Sequence, residues 1–223
     1  MNKLILLGTA HMLIESEIGK YNSDILYDII NKIEPNIIFE ETNLIDYNNI
    51  YVNKEKPQFI EHYIIGKYIE KYGIKNVPID TLEKPNNFLE LHNMLMFSLQ
   101  IKNGYNNDLI ELTNFIDTYI NEKGIKGINS KYFEDLIIKR HRLFEYYIKN
   151  HKESLISCFT EYTNYNTEER ENKMVDNILK YKNLNMEENN FNAIVLVGAV
   201  HKTAIRNKLI NKSDIECELY YAH

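Results

Sequence analysis

The sequence predicts an α/β protein with a central, largely parallel sheet flanked by helices and a helical insertion between the third and fourth strands. Four short apolar runs rich in branched residues predict the strands, at 4–7, 37–39, 77–79 and 193–197. Each run is bounded by turn or polar residues, which is typical of strands buried on both faces. A fifth run at 215–221 alternates Glu216 and Glu218 with apolar residues, and this pattern favours an edge strand.

Helical spacing between the first three runs predicts two β-α-β units. Ser23 is a suitable N-cap for the first helix, and Pro35 lies just past its end. Pro57 opens the second helix, and Gly73 terminates it before the third strand. Because a helical crossover normally joins parallel strands, the first three strands are expected to run in one direction.

The range 86–181 contains no strand-like run, and its apolar residues recur at spacings that suit three or four amphipathic helices. We therefore expect one domain spanning 1–223 with 86–181 as a helical insertion. The sequence leaves two roles open for this insertion, a cap over a functional site or simple bulk.

Composition narrows the classes of partner and compartment. The formal net charge is -6 and the pI is about 5.7, so the broad cationic surface that nucleic-acid binding requires is not expected. The apolar run at the start is too short for a secretion signal, and no stretch approaches the length of a membrane span. Cys158 and Cys217 form no C-x-x-C pair, which fits reduced thiols. These observations predict a cytoplasmic protein without membrane or nucleic-acid partners.

Two G-x-x-H motifs follow apolar strands. The first strand leads into Gly8 and His11, and the fourth leads into Gly198 and His201. Glycine would let the chain turn sharply after each strand, and the histidine would then stand at the carboxyl end of the strand. Since ligands bind at that edge of open α/β sheets, the two motifs are expected to meet at a functional site.

Acidic residues end the other two buried strands. Glu40 and Glu41 follow the second strand, and Asp80 follows the third. Because neighbouring strand residues face opposite sides, only one of the two glutamates can face the histidines, and we expect it to be Glu40 with Glu41 as a solvated neighbour. Asp80 either joins the site or caps a turn.

The converging residues suit two kinds of chemistry. His11, His201 and Glu40 would make a first shell for Zn, Mn or Co with an open position for water. The same residues could act without a metal, with a histidine as general base and a carboxylate that orients it. The sequence has no G-x-S-x-G, Walker, H-E-x-x-H or G-x-G-x-x-G motif, which argues against serine hydrolases, P-loop enzymes, zincins and dinucleotide enzymes.

A further candidate lies on the helix that enters the fourth strand. Thr167 is a suitable N-cap, and Arg170 precedes Met174 by four residues and Ile178 by eight. This spacing places Arg170 on the inward face near the start of the helix, where it would bind a carboxylate or an anionic ligand. The alternative is that its guanidinium extends from the apolar stripe to solvent.

The order of these motifs resembles the TraB/PrgY and Tiki family, which is grouped with the erythromycin esterases and the ChaN-like haem-binding proteins. The resemblance lies in LLGTAH at 6–11, EPNIIFE at 34–40, the pair at 169–170 with Met174, and VGAVH at 197–201. It implies an α/β core with His11, Glu40, Arg170 and His201 at the site. The sequence departs from the family at Glu171, where Asn or Asp usually follows the arginine.

The family includes three chemistries: metal-dependent peptidases in Tiki proteins, agents that block a peptide pheromone in TraB-like proteins, and metal-independent histidine hydrolases in the esterases. The resemblance therefore implies a metal-assisted hydrolase that acts on a peptide or another small acyl substrate. The alternative is a non-catalytic protein that binds haem or a peptide signal, or acts as a regulator, through the same pocket.

Overall fold

The computed structural model describes residues 3–14, 20–81, 108–149, 157, 160–185, 192–213 and 215–222. Its sheet has five strands, all parallel, in the order β3-β2-β4-β1-β5. The strands are β1 Lys3–Thr9, β2 Ile37–Glu40, β3 Lys75–Pro78, β4 Asn192–Gly198 and β5 Glu216–Leu219. The predicted fold class is therefore confirmed, and β5 lies at an edge as its alternating pattern predicts.

Helices connect and cover the strands. They are α1 Ser23–Ile33, α2 Leu44–Tyr47, α3 Ile60–Tyr72, α4 Asp108–Ile128, α5 Lys131–Lys149, α6 Arg170–Leu184 and α7 Lys202–Lys212. Two π-helical turns, Asn48–Val52 and Asn164–Glu169, continue α2 and precede α6. No helix in the described part of the chain has the length and apolar character of a membrane span.

The sheet separates two apolar cores. On one face, Leu7 and Ile38 pack with residues of α1, α3, α4 and α5. On the other face, Leu6 and Phe39 pack with residues of α6 and α7. Neighbouring residues of one strand thus enter opposite cores, which explains why the strands read as continuous apolar runs.

Helix ends confirm one prediction and correct two. Gly73 ends α3 with a left-handed φ of 65°, as expected. The N-cap of α1 is Asn22 rather than Ser23, because Asn22 has extended backbone and its Oδ1 accepts a hydrogen bond from the Ile25 amide at 2.9 Å. The N-cap position of α6 is Glu169 rather than Thr167, because Thr167 lies within the π-helical turn that runs directly into α6.

The insertion region contains helices with two different roles. Helices α4 and α5 pack against each other and on the α1 and α3 face of the sheet. Helix α6 buries Met174, Val175 and Ile178 in the opposite core, as a crossover helix before β4 does. The expected boundary at 181 falls inside α6, and the part of the expected insertion at 86–107 lies outside the described residues.

The sheet order creates a switch point between its central strands. β1 pairs with β4, and the chain leaves β1 towards β2 but leaves β4 towards β5, in opposite directions along the sheet. The connecting helices α1 and α7 cover opposite faces. A crevice opens at the carboxyl ends of two strands wherever their connections diverge in this way. Both G-x-x-H turns begin at this point.

Candidate functional site

The two G-x-x-H turns touch each other. The Ala199 amide donates to the Thr9 carbonyl at 2.8 Å. A Cβ placed on Gly198 would lie 3.2 Å from His11 Nε2 and 3.6 Å from His201 Cδ2. Both imidazoles therefore converge on Gly198 at the switch point, as the repeated motif predicts.

The glycines of the two motifs have a different role from the one expected. Neither Gly8 nor Gly198 has a left-handed φ, so neither is needed for a sharp turn. A Cβ on Gly8 would instead lie 2.8 Å from the Ala199 Cβ, and one on Gly198 would crowd His11 and Glu41. The absence of side chains at these positions lets the turns and the site residues approach closely.

His11 is held in a strained backbone conformation. Its φ is 49°, which is uncommon for a residue with a side chain. Its amide donates to Glu61 Oε1 at 3.0 Å, and the Tyr21 hydroxyl donates to the same oxygen at 2.6 Å. The Ala10 amide donates in turn to the Tyr21 hydroxyl at 2.9 Å. Glu61 and Tyr21 thus fix the turn that presents the His11 ring, which is 41% exposed.

Glu41 is the strand-end glutamate that joins the histidines. Its side chain is 4% exposed, Oε1 accepts from Arg170 Nη2 at 2.6 Å, and Oε2 lies 3.6 Å from His11 Nε2. Oε2 also accepts from the Gly198 amide at 2.5 Å. Burial alone would raise the pKa of Glu41, but His11, His201 and Arg170 outweigh burial and lower it to about 2. Glu41 is therefore a carboxylate at neutral pH.

Glu40 faces the opposite side of the sheet, which corrects the expectation that it joins the two histidines. It accepts hydrogen bonds from Tyr51 Oη and Asn76 Nδ2, both at 2.8 Å, and His62 Nε2 lies 3.5 Å away. Burial raises the pKa of Glu40 to about 7 and lowers that of His62 to about 4. At neutral pH this contact therefore joins a neutral imidazole to a carboxyl group that is partly protonated.

The position of α6 explains why Glu41, and not Glu40, lies beside the histidines. That helix covers the Phe39 face of the sheet, so the residue two positions after Phe39 points towards Arg170. Glu41 occupies that position, and Glu40 follows Ile38 to the other face. All four residues of β2 are buried. Its sequence therefore does not alternate between polar and apolar residues, and such an alternation is what would show which face of the sheet each side chain occupies.

Arg170 is bound by two carboxylates. Its Nε and Nη2 donate to the two oxygens of Asp80 at 2.9 and 2.8 Å, and Nη2 also donates to Glu41. Its side chain is 16% exposed, so the guanidinium does not extend to solvent. The structure thus favours the inward alternative for Arg170, and it places Asp80 in the site rather than in a turn cap alone.

His201 is oriented by Glu171. Its Nδ1 lies 3.0 Å from Glu171 Oε1, and its Nε2 lies 3.5 Å from Arg170 Nη1. The two side chains are 8% and 3% exposed. Since the carboxylate only accepts, this contact favours the tautomer with hydrogen on Nδ1 and leaves a lone pair on Nε2. This carboxylate–imidazole pair is a familiar arrangement for a general base.

The partnership of Glu171 with His201 was missed in the sequence. A signal for it exists, because Glu171 precedes Val175 by four residues and Ile178 by seven, and both lie on the buried face of α6. Two consecutive charged residues, Arg170 and Glu171, therefore point inwards at the start of this helix. The contact between His62 and Glu40 was likewise missed.

The predicted metal ligands do not form a metal site. Glu40 lies on the other side of the sheet from His201, and the Arg170 guanidinium is 3.5 Å from His201 Nε2, where it would repel a cation. Among the described residues, no group of three or more His, Cys, Asp or Glu side chains is arranged to hold a metal ion. The residues present therefore do not fit the expected Zn, Mn or Co centre.

A cavity of about 920 Å³ opens beside His201 and Glu171. Its other walls come from α4, α5, the segment before α6, and the start of α7. Apolar lining includes Leu109, Ile137, Phe144, Tyr162 and Val200. This volume lies in the range of small-molecule sites. Helices α4 and α5 thus form part of a wall beside the candidate site.

No protein-family model matches this sequence, and no curated protein matches it. A solved structure of an erythromycin esterase mutant in its open conformation is similar to this chain, with 13% identity and a TM-score of 0.35. The match covers 88% of this chain and 60% of the esterase chain. A likeness of this size carries no functional argument, and the TraB/Tiki assignment stays a prediction.

Proposed function

We propose that this protein is a hydrolase of an ester or another acyl bond, with His201 as the general base. The observation that carries this proposal is the buried Glu171–His201 pair at the carboxyl edge of the sheet, in which the Nε2 atom of His201 faces Arg170. This geometry provides a base oriented by a carboxylate and a fixed positive charge beside it.

The first step would activate water. His201 Nε2 takes a proton from a water molecule, the water oxygen attacks the acyl carbon, and the carbonyl oxygen becomes an oxyanion. Arg170 Nε and Nη2 are occupied by Asp80 and Glu41, and Nη1, which contacts His201 Nε2 at 3.5 Å, has a second N–H group to stabilise that negative charge. The two carboxylates hold the guanidinium in place before the reaction begins.

His11 is suited to protonate the leaving group in the second step. Burial lowers the pKa of His11, but the contact with Glu41 and the charges of Glu41 and Glu61 outweigh burial and raise it. The His11–Glu41 pair therefore favours an imidazolium that carries hydrogen on both nitrogens. As the oxyanion re-forms the carbonyl and the carbon–leaving-group bond breaks, a proton passes from His11 to the departing atom. Solvent then returns a proton to His11, whose ring is partly exposed, and takes up the proton that His201 received from water.

The experiment compares His201→Ala and Glu171→Gln with Glu70→Gln, which changes an exposed glutamate on α3. Hydrolysis of para-nitrophenyl esters and of a peptide panel would be measured as kcat/KM. We expect His201→Ala to lose at least ~10²-fold, Glu171→Gln to fall in the same direction, and Glu70→Gln to match the parent. Full activity of His201→Ala on every substrate that the parent cleaves would overturn the proposal.

The metal-assisted version of the hydrolase is tested by the same assay. Since the residues do not fit a metal centre, activity should survive dialysis against EDTA. Loss of activity that Zn, Mn or Co restores would instead support the metal-assisted prediction. The alternatives of a haem-binding or peptide-signal-binding protein stay predictions, and a Soret band in the visible spectrum would favour the first of them.

A further inference from the structure

The charged residues that line the cavity beside His201 are mostly paired. Glu171 contacts His201, Glu168 contacts Lys208 at 3.1 Å, Glu145 contacts His141 at 3.2 Å, and Glu134 accepts from Tyr221. These contacts neutralise or satisfy each cavity carboxylate. The cavity is therefore not a general cation site.

Arg140 differs from these residues. It lines the same cavity from α5, it is half-buried, and among the described residues it makes no hydrogen bond or ion pair within contact distance. Its neighbours along that face of the helix are Ile137 and Phe144, which also line the cavity. A guanidinium in such surroundings is partly removed from bulk water and has no counterion in contact.

The charge at Arg140 is not fully compensated by more distant groups. Burial lowers the pKa of Arg140, although the charges of Asp117 and Tyr162 act in the opposite direction. Arginine stays protonated in proteins, so the cost of burial is met by a bound anion more readily than by deprotonation. The planar fork of arginine matches a carboxylate or a phosphate through two parallel hydrogen bonds.

We propose that Arg140 binds an anionic group of the substrate, so that the hydrolase acts on small acyl compounds with an apolar body and a carboxylate or phosphate remote from the scissile bond. This inference rests on the proposed function, because the cavity joins Arg140 to His201. The apolar residues Leu109, Ile137 and Phe144 would contact the body of such a compound, and His201 would reach its acyl carbon.

The binding experiment uses three probes with the same six-carbon tail: hexanoate, hexyl phosphate and hexan-1-ol. Dissociation constants would be measured by titration calorimetry for the parent, Arg140→Gln and Arg142→Gln. Arg142 is the matched control, because it lies on the same helix at the cavity but is exposed. We expect the better anionic probe to bind about 10- to 100-fold more tightly than hexan-1-ol in the parent. Arg140→Gln should abolish this preference, and Arg142→Gln should keep it.

The comparison of hexanoate with hexyl phosphate identifies which anion the pocket prefers. Equal binding of all three probes by the parent, or equal losses in both arginine variants, would overturn the inference. Arg140→Lys gives a second check, because it keeps the charge without the planar fork and should retain only part of the preference.

Turnover separates this inference from the proposed function. The mono-para-nitrophenyl ester of adipic acid carries a remote carboxylate, and para-nitrophenyl hexanoate does not. If the parent hydrolyses neither ester but still prefers the anionic probes, the proposed hydrolase function would be overturned and the anion pocket would stand. If Arg140→Gln hydrolyses each ester with the same kcat/KM as the parent, the anion pocket would be overturned and the hydrolase would stand.

Discussion

Glu40 and Glu41 are neighbours in the chain with opposite affinities for protons. Both are buried, and burial raises the pKa of each. Glu40 meets hydrogen-bond donors that are neutral at pH 7, and burial prevails to give a pKa of about 7. Glu41 meets Arg170 and two imidazoles, which reverse the effect and give a pKa of about 2. Two adjacent residues on opposite faces of the sheet therefore differ in charge at neutral pH, because Glu40 is partly protonated and Glu41 is a carboxylate.

Glu40 is expected to make stability fall as pH rises. Between its ordinary value of about 4.5 and about 7, the folded state keeps a proton that the unfolded state has lost. Replacing Glu40 with Gln removes this penalty, so the variant should gain about 3 kcal/mol relative to the parent between pH 4 and pH 8. Urea denaturation at the two pH values measures this change. Parallel pH profiles for the two proteins would contradict it.

Arg170 is expected to be important for stability as well as chemistry. Replacing it with Ala leaves the buried Asp80 and Glu41 carboxylates without their shared cation. This loss should cost on the order of 3 kcal/mol or more in the free energy of unfolding. Arg142→Ala, at an exposed position, is the control and should stay within about 0.5 kcal/mol. Equal melting temperatures for the two variants would show that the Arg170 ion pairs contribute little.

Residue patterns predicted most members of the site but not how they are paired. The repeated G-x-x-H motif predicted His11 and His201, and helical spacing predicted the inward position of Arg170. The choice between Glu40 and Glu41 depended on which face of the sheet α6 covers. The sequence of a strand that is buried on both faces does not show this tertiary arrangement. Glu171 was visible as an inward position on α6, but its partner became known only from the structure.

At the scale of elements, α4 is anchored to the first G-x-x-H turn through Asn129, just past the end of the helix. Its Oδ1 accepts from the Gly8 amide at 2.8 Å, and its Nδ2 donates to the Gly8 carbonyl at 2.9 Å. The bend in α4 at Gly124, with a φ of 59°, lies against the backbone of Lys20 and Tyr21. The end of α4 therefore supports the turn that carries His11. Apolar spacing predicted helices in this region but could not predict this long-range contact.

Gly73 and Gly124 both have positive φ, and a comparison of the two tests how tightly the bend in α4 at Gly124 is packed. A Cβ at Gly124 would overlap the Lys20 carbonyl, whereas one at Gly73 would meet nothing within 4 Å. Gly73→Ala should therefore cost only about 1 to 2 kcal/mol for its backbone conformation. Gly124→Ala should cost more, because the backbone itself must move. Thermal denaturation compares the two variants, and equal shifts in Tm would argue against tight packing at Gly124.

At the scale of the whole molecule, the sheet and the helices of the insertion share one core. Ile116 and Ile128 of α4 and Phe133 of α5 pack in the same cluster as Leu7 and Ile38 of the sheet. The sequence predicted the strands, because their apolar runs are local, and it predicted the parallel direction through the crossover rule. It did not predict the strand order, which depends on contacts between distant parts of the chain.

This shared core predicts a single cooperative unfolding transition. Helices α4 and α5 should not melt separately, because their apolar faces would be exposed if the sheet remained folded. Far-UV circular dichroism reports helix content, and near-UV circular dichroism reports tyrosine packing. The two thermal curves should coincide. A helical transition well below the loss of the tyrosine signal would show that the insertion is an independent unit.

The close contact between Gly8 and Ala199 also makes position 8 dependent on a distant part of the chain. A Cβ on Gly8 would lie 2.8 Å from the Ala199 Cβ and 2.9 Å from the Ala199 Cα. Because the contact with the Cα remains when Gly stands at position 199, a library that varies both positions should keep Gly at position 8 whichever residue stands at 199. Deep sequencing of folded variants would show this one-sided constraint. The backbone of one turn would then limit evolution of the other, although 191 positions separate Gly8 from Ala199 in the chain.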